Sequence, residues 1–232
     1  DTKLHTVCIG AEPHSEEQRK RIEQLLGVKA YNCFGMSEMN GPGVAFECTE
    51  QNGLHIWEDN VIVEIVDPVT LQPVPEGEVG ELVLTTINRE AMPLLRYRTR
   101  DLTCILPGDC PCGRTHKRLA RFKGRSDDMI ILKGVNLFPI QIEKILMQFK
   151  ELGSNYLITL ETIGNSDEML IEVELSDLFT DDYSALQRLT KGITRQLKDE
   201  LLLTPRIKLV AKGSLPTTDG KAVRVKDHRK LC

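Results

Sequence analysis

The chain has 232 residues, 41 % of them hydrophobic, and a formal net charge of −4. That is enough apolar material for one large or two ordinary domains with a real core. The mild acidity argues against a nucleic-acid partner, which would select for a basic face. No apolar run approaches the ~20 residues of a membrane span, so no membrane partner is expected. No signal peptide is expected either, because Asp1-Thr2-Lys3 leads directly into an apolar strand. Seven cysteines are an odd number in a chain too long for a small disulfide scaffold. A reducing, cytoplasmic setting follows, with metal binding open to some of them.

Leu4 to Gly10 reads as a core strand with nothing before it. Domains rarely begin inside their own sheet, so the chain is expected to be the back part of a longer protein. Ser15-Glu16-Glu17-Gln18 has the form of a capping box and Gly27 that of a C-terminal stop. The helix between them presents Ile22, Leu25 and Leu26. Val28 to Cys33 is a second strand. Strand, helix, strand is the unit of a parallel sheet, whose carboxyl edge is where ligands bind in open α/β folds. The segment Phe34 to Gly43 is read as a loop on that edge.

From Val44 to Leu106 the pattern is β, with strands at Val61–Val66 and Glu81–Thr85 and turns at Asp67-Pro68 and Pro75 to Gly80. Short strands so separated suggest a small barrel or a distorted sheet. Arg96 to Asp101 reads as a charged loop. In Arg121 to Glu143 the character changes quickly. Gly124 to Asp128 is a polar turn, Met129–Leu132 a short apolar strand and Lys133 to Asn136 another turn. Pro139 stands where a helix takes its first residue, and Ile142, Ile145, Leu146 and Phe149 then make one apolar face. Beyond it lie strands at Tyr156–Leu160 and Met169–Leu175, a helix from about Tyr183 to Leu202 and a strand at Ile207–Ala211. The order β-α-β-β-α-β is ferredoxin-like. The tail from Gly213 to Arg224 reads as a polar loop with Lys221 behind a glycine.

The expected fold is therefore α/β plus α+β. Residues 1–125 form the end of a large α/β domain with a small β-barrel-like subdomain, and residues 126–232 form a ferredoxin-like domain.

Four stretches carry a resemblance: Phe34-Gly35-Met36-Ser37-Glu38, Tyr97 to Asp101, Gly124 to Asp128 with Gly134, and Pro216 to Arg224 around Lys221. In this order, on this architecture, the chain resembles the acyl-adenylate-forming superfamily of acyl-CoA synthetases, peptide-synthetase adenylation domains and luciferases. Gly10-Ala11-Glu12-Pro13, Ser37 to Gly43 and Leu137 to Glu143 resemble the phenylacetate-CoA ligases within it. The superfamily's Ser/Thr/Gly-rich phosphate loop is not in this sequence, and the usual aryl-acid pocket also belongs largely upstream. The resemblance therefore implies the C-terminal part of such a ligase, unable to complete the reaction alone.

The resemblance implies an enzyme that joins a carboxylic acid to ATP, then passes the acyl group to coenzyme A. Its partners would be an aryl acid, ATP and coenzyme A, with Mg²⁺ as cofactor; a homodimer is left open. Lys221 matches the catalytic lysine, a compact charge on a long stem. Glu38 matches the carboxylate that holds magnesium, a hard cation that prefers oxygen. Ser37 would bond phosphate, Phe34 stack on adenine beside Gly35, and Glu12 and Pro13 flank the adenine. Asp101 would take the ribose hydroxyls, and Arg125 would approach ribose or phosphate. Asp127 matches a hinge between half-reactions. Gly134 matches the glycine past which the pantetheine arm travels. Gly41, Pro42 and Gly43 would line the acyl group. Plainer readings stand beside these: core for Phe34, a pairing with Arg98 or Arg100 for Asp101, a turn for Gly134, a solvated surface position for Lys221. Two other functions stay open, loading of a carrier-protein thiol and a non-catalytic nucleotide-binding or regulatory module.

One constellation is independent of the resemblance. Cys110-Pro111-Cys112-Gly113 has the form of a zinc knuckle, a tight turn aiming two thiolates at one point. Upstream, Cys48 and His55 flank an apparent turn. Together they make a Cys₃His set suited to a closed structural zinc site, although free buried cysteine is common and Cys104 is near enough in sequence to replace one ligand.

Overall fold

The computed structural model describes residues 3–39, 41–177, 182–216 and 222–229, and of Pro42 only the backbone. The chain divides into two units, residues 1–13 with 22–128, and residues 14–21 with 129–232.

In the first unit β1 (Thr6–Ile9) runs parallel to β2 (Lys29–Met36), in register from Thr6–Lys29 to Ile9–Asn32, with α1 (Glu16–Leu26) as the intervening helix. Eight more strands follow: β3 (Gly41–Glu47), β4 (Leu54–Ile56), β5 (Val61–Val66), β6 (Gly80–Thr86), β7 (Tyr97–Thr103), β8 (Ile105–Leu106), β9 (Arg118–Leu119) and β10 (Gly124–Arg125). They form a six-stranded sheet in the order β1-β2-β3-β4-β9-β8 and a four-stranded sheet in the order β10-β7-β6-β5. Val44, Ala45, Leu54, Leu82, Leu84 and Leu119 are sealed in the core these strands share.

Several expectations change here. The strands do not close into a barrel; the second sheet is open, and distorted where the β6–β7 register slips between Glu81 and Val83. Phe34 to Gly43 is not a long loop, because Phe34 and Gly35 belong to β2 and Gly41 to Gly43 to β3, leaving a short 3₁₀ turn at Ser37–Met39. The Arg96–Asp101 stretch is mostly strand. Its charge is matched by Glu81, a fully buried carboxylate on the neighbouring strand that accepts from Arg98 Nε at 2.9 Å and Nη2 at 2.6 Å, with Arg100 at 3.9 Å. A charged run looks like loop only when its partner, some fifteen residues upstream, is left out of view. The predicted apolar stripe of α1 also fails. Leu25 and Leu26 are exposed, and the residue α1 buries is Arg19, neutralised by Glu16 one turn earlier.

The second unit holds β11 (Ile130–Leu132), β12 (Val135–Leu137), α2 (Pro139–Leu146), β13 (Leu152–Ile163), β14 (Ser166–Leu175), α3 (Tyr183–Leu201), β15 (Arg206–Val210) and β16 (Val225–Asp227). Pro139 opens α2 as expected, and Gln141 accepts the Phe138 N–H at 2.8 Å. Asp182 caps α3 by accepting from Ser184 N at 2.9 Å. Ile142, Ile145, Ile158, Ile171, Ile193 and Leu197 form the buried centre. Ser15 belongs to this unit and completes only half of its predicted box: its Oγ accepts from Gln18 N, but its own N–H donates to Glu143 Oε1 at 2.9 Å.

The ferredoxin-like strand order is corrected in one respect. The sheet runs β15-β14-β13-β16, and the strand expected first, β11, is not in it. Lys133 (φ 50°) and Gly134 (φ 81°) both take the left-handed conformation of a two-residue hairpin turn, which folds β11 straight back on β12. The strand beside β13 at the sheet edge is β16, which runs parallel to it and directly follows the tail read as polar loop.

Candidate functional site

β1 ends opposite Asn32, and β2 runs on beyond it to Met36. Gly10 follows β1 where a Cβ would come within 2.6 Å of the Cys33 carbonyl oxygen and sulfur, so only glycine permits this approach. Glu12 and Pro13 are exposed in the segment that follows. At the end of β2 Phe34 is half-buried against the core, its ring centroid 4.5 Å from that of Phe122. Ser37 and Glu38 stand exposed on the 3₁₀ turn. Gly41 (φ 98°) starts β3, and an added Cβ at Gly41 or Gly43 would meet nothing within 4 Å. This is an open edge of backbone next to an exposed carboxylate.

β7 and β10 bring a second set to Glu38. Tyr97 lies 3.5 Å from Glu38 Oε1 through its hydroxyl, and Arg89 donates to the Glu38 carbonyl. Asp101 pairs in register with Arg125. Arg125 holds Asp127 in a two-point ion pair, 2.9 Å at both oxygens. That bond pushes the guanidinium's pKa up and holds the Asp127 carboxyl below the usual range. Burial, then the Glu38 charge, push the Tyr97 hydroxyl up. The first unit thus brings Glu38, Asp101, Arg125 and Asp127 around Tyr97, while Phe34 packs on Phe122. An arrangement of exposed carboxylates, a fixed guanidinium and an aromatic ring suits a polyhydroxyl, phosphate-bearing, planar ligand.

Gly134 lies in the second unit, at the β11–β12 turn, with open space where a Cβ would project. Lys221 lies outside the described residues. Sequence reasoning missed Tyr97 as a partner of Glu38, and also Arg89 and Phe122. Tyr97 was within reach, since Tyr-Arg-Thr-Arg-Asp alternates in a way that suits a strand. Phe122, a lone aromatic between Arg121 and Lys123, gave no such signal.

The cysteine–histidine set comes together at the far side of the six-stranded sheet. Cys48 leaves β3, His55 is on β4, and Cys110 and Cys112 sit in the loop between β8 and β9. Their four ligand atoms all lie within 4.8 Å of one another. Cys104 is not among them. Burial, followed by the Arg114 and Arg118 charges among its electrostatic causes, lowers the His55 pKa. His55 Nδ1 makes no hydrogen bond of normal geometry, though the His116 backbone is near enough to favour its protonated form. Burial raises the Cys48 thiol to about 11, while the Arg114 backbone N–H lowers Cys112 to about 7.

Two family models match the chain: AMP-binding enzyme over residues 1–88, and AMP-binding enzyme C-terminal domain over residues 134–229. It is 42 % identical to a phenylacetate-coenzyme A ligase of Thermus thermophilus and 43 % identical to one of Pseudomonas putida, each over 99 % of this chain. The chain belongs to the AMP-binding enzymes. It spans about half the length of these relatives, 55 % and 52 % respectively. Among solved structures, a 2-hydroxyisobutyryl-CoA ligase in the postadenylation state, in complex with R3-HIB-AMP, is 30 % identical. It superposes with a TM-score of 0.86 over 95 % of this chain and 48 % of its own. The mixed α/β fold described above thus resembles that of this ligase, and no helix among the described residues is long and apolar enough to cross a membrane.

Proposed function

We propose that this protein is an ATP-dependent acid–CoA ligase acting on phenylacetate or a closely related aryl acid. The acid's carboxylate attacks the α-phosphate of ATP and releases pyrophosphate; the thiol of coenzyme A then takes the acyl group and releases AMP. The observation that carries this reading is the 42–43 % identity to two phenylacetate-CoA ligases across 99 % of the chain. ATP and coenzyme A as substrates fit a cytoplasmic enzyme.

Each residue takes the part that the family resemblance implies, and its chemistry suits that part. Phe34, backed on one side by Phe122, offers a flat surface to adenine, with Glu12, Pro13 and Gly35 beside it. Asp101 accepts from the ribose hydroxyls, and Arg125, fixed by Asp127, faces ribose or phosphate. Ser37 bonds phosphate. Glu38 is an exposed oxygen donor next to Tyr97, which fits Mg²⁺; the ion, when bound, neutralises phosphate charge. Lys221 supplies the cation for the α-phosphate as charge develops there. Gly41, Pro42 and Gly43 lie along the acyl group, leaving backbone room for it. Asp127 is the pivot between half-reactions and Gly134 the point where the pantetheine arm passes.

The test, made on the full-length protein, is phenylacetate-dependent exchange of pyrophosphate into ATP, followed by mass-spectrometric detection of phenylacetyl-CoA and AMP. Absence of exchange with phenylacetate and with other aryl acids would remove the reading. Exchange without thioester formation on coenzyme A, but with transfer to a carrier-protein thiol, would move it to carrier loading.

A further inference from the structure

We infer that Cys48, His55, Cys110 and Cys112 form a structural zinc site that ties together the short strands leading into the candidate nucleotide site. The geometry is that of a metal centre. A tetrahedral ion at Zn–S of about 2.3 Å and Zn–N of about 2.0–2.1 Å separates its ligands by about 3.8 Å for sulfur–sulfur and about 3.5 Å for sulfur–nitrogen. Cys48 Sγ lies 3.7 Å from Cys110 Sγ, and Cys112 Sγ lies 3.4 Å from His55 Nε2. No pair of ligand atoms exceeds 4.8 Å, so the widest needs to close by at most about 1.3 Å to match the tetrahedral spacings.

The backbone aims these atoms independently of any metal. Cys110 and Gly113 close a tight turn through Gly113 N to Cys110 O at 3.0 Å, with Gly113 at φ 81°. A second turn closes from Gln51 N to Cys48 O, also at 3.0 Å, and Gly53 (φ 84°) then returns the chain into β4. At Gly53 a Cβ would fall 2.4 Å from Leu106 Cδ1 and 2.9 Å from the Leu119 carbonyl oxygen, so this turn is packed against β8 and β9. Three thiolates on Zn²⁺ leave a net charge of −1, and Arg114 stands beside Cys112 to offset it. Four protein ligands leave no open position for a substrate, which makes the site structural.

The fold shows where such a cross-link acts. β4, β8 and β9 have three, two and two residues, too few to hold a sheet edge by backbone bonds alone. The metal ties the exit of β3 to the β8–β9 loop. β3 begins at Gly41, and β9 leads through Phe122 to Arg125 and Asp127. The same ion therefore braces both strands that lead into the candidate nucleotide site.

Elemental analysis of the protein purified without added metal should find about one zinc per chain. Replacement by Co²⁺ should give the strong visible bands of a tetrahedral ion and thiolate-to-cobalt charge transfer. Cys48→Ser, Cys110→Ser and His55→Ala should each lose the metal, while Cys8→Ser and Cys104→Ser keep it. Should the ligand variants fail to fold, the metal content and cobalt spectrum of the unmutated protein still decide. Absence of zinc together with no tetrahedral cobalt spectrum overturns the site, as does a Cys48–Cys110 disulfide found by mass spectrometry. Loss of metal in Cys104→Ser equal to that in Cys110→Ser overturns the ligand set. None of these readings depends on ligase activity.

Discussion

Gly134 is where a structural and a functional role can be separated by measurement. It is the second residue of a turn that needs both central residues left-handed, at φ 81° after Lys133 at φ 50°. An L-residue forced into that region costs about 1–2 kcal/mol. Nothing lies within 4 Å of an added Cβ, so packing adds no further penalty. At roughly 2–4 °C per kcal/mol for a chain of this size, Gly134→Ala should lower the melting temperature by about 2–8 °C. Gly134→Asn, which tolerates left-handed backbone, should lose less. Gly134→Leu should be no less stable than Gly134→Ala, because the backbone sets the cost and the larger side chain enters open space. Scanning calorimetry of the three variants measures this. A Gly134→Leu protein much less stable than Gly134→Ala would show that the space is filled and the reasoning wrong. If the pantetheine arm does use that space, Gly134→Leu also slows thioester formation while acyl-adenylate formation stays at the unmutated rate. Equal rates in both steps would remove Gly134 from the site.

Three other outcomes are expected. The Glu81 carboxyl is held below its ordinary 4.5, chiefly by its bond from Arg98. Its stabilisation is therefore complete above that value and lost as pH falls through the lowered one. Urea midpoints between about pH 6 and pH 3 should fall more steeply for the unmutated protein than for Glu81→Gln, and parallel curves would show that the pair contributes nothing. In the full-length protein, Lys221→Ala should abolish acid-dependent pyrophosphate release yet largely spare acyl transfer from a supplied acyl-adenylate to coenzyme A; equal loss in both would assign the lysine another role. Asp127→Pro fixes one backbone angle and should stop one half-reaction while the other survives, with Asp127→Ala controlling for the lost bond to Arg125. Both rates at the unmutated level would end the hinge assignment.

What could be read from the sequence was local. Pro139 opening α2, the α2 face of Ile142, Ile145 and Leu146 and the β5 run all depend on neighbours within a few residues, and each appears where the pattern puts it. The Cys-Pro-Cys-Gly turn was legible for the same reason, since its shape comes from four consecutive residues. The order of motifs also identified the family, because a motif's chemistry is carried by its own residues.

Tertiary structure decided whatever depends on a partner far along the chain. Arg98 and Arg100 sit in a strand because Glu81 is buried opposite them, and no window around position 98 contains that carboxylate. β11 leaves the main sheet because two left-handed residues turn it back at once, and β16, more than sixty residues beyond β13, fills the vacancy. Composition alone could not choose which of Cys48, Cys104, Cys110 and Cys112 meet His55. The β3–β4 and β8–β9 connections chose, by bringing three sulfurs and one imidazole nitrogen to a single point and leaving Cys104 apart. Spacing along a chain limits which atoms can meet, but which of them do is set by how strands pair, and that pairing is a property of the whole sheet.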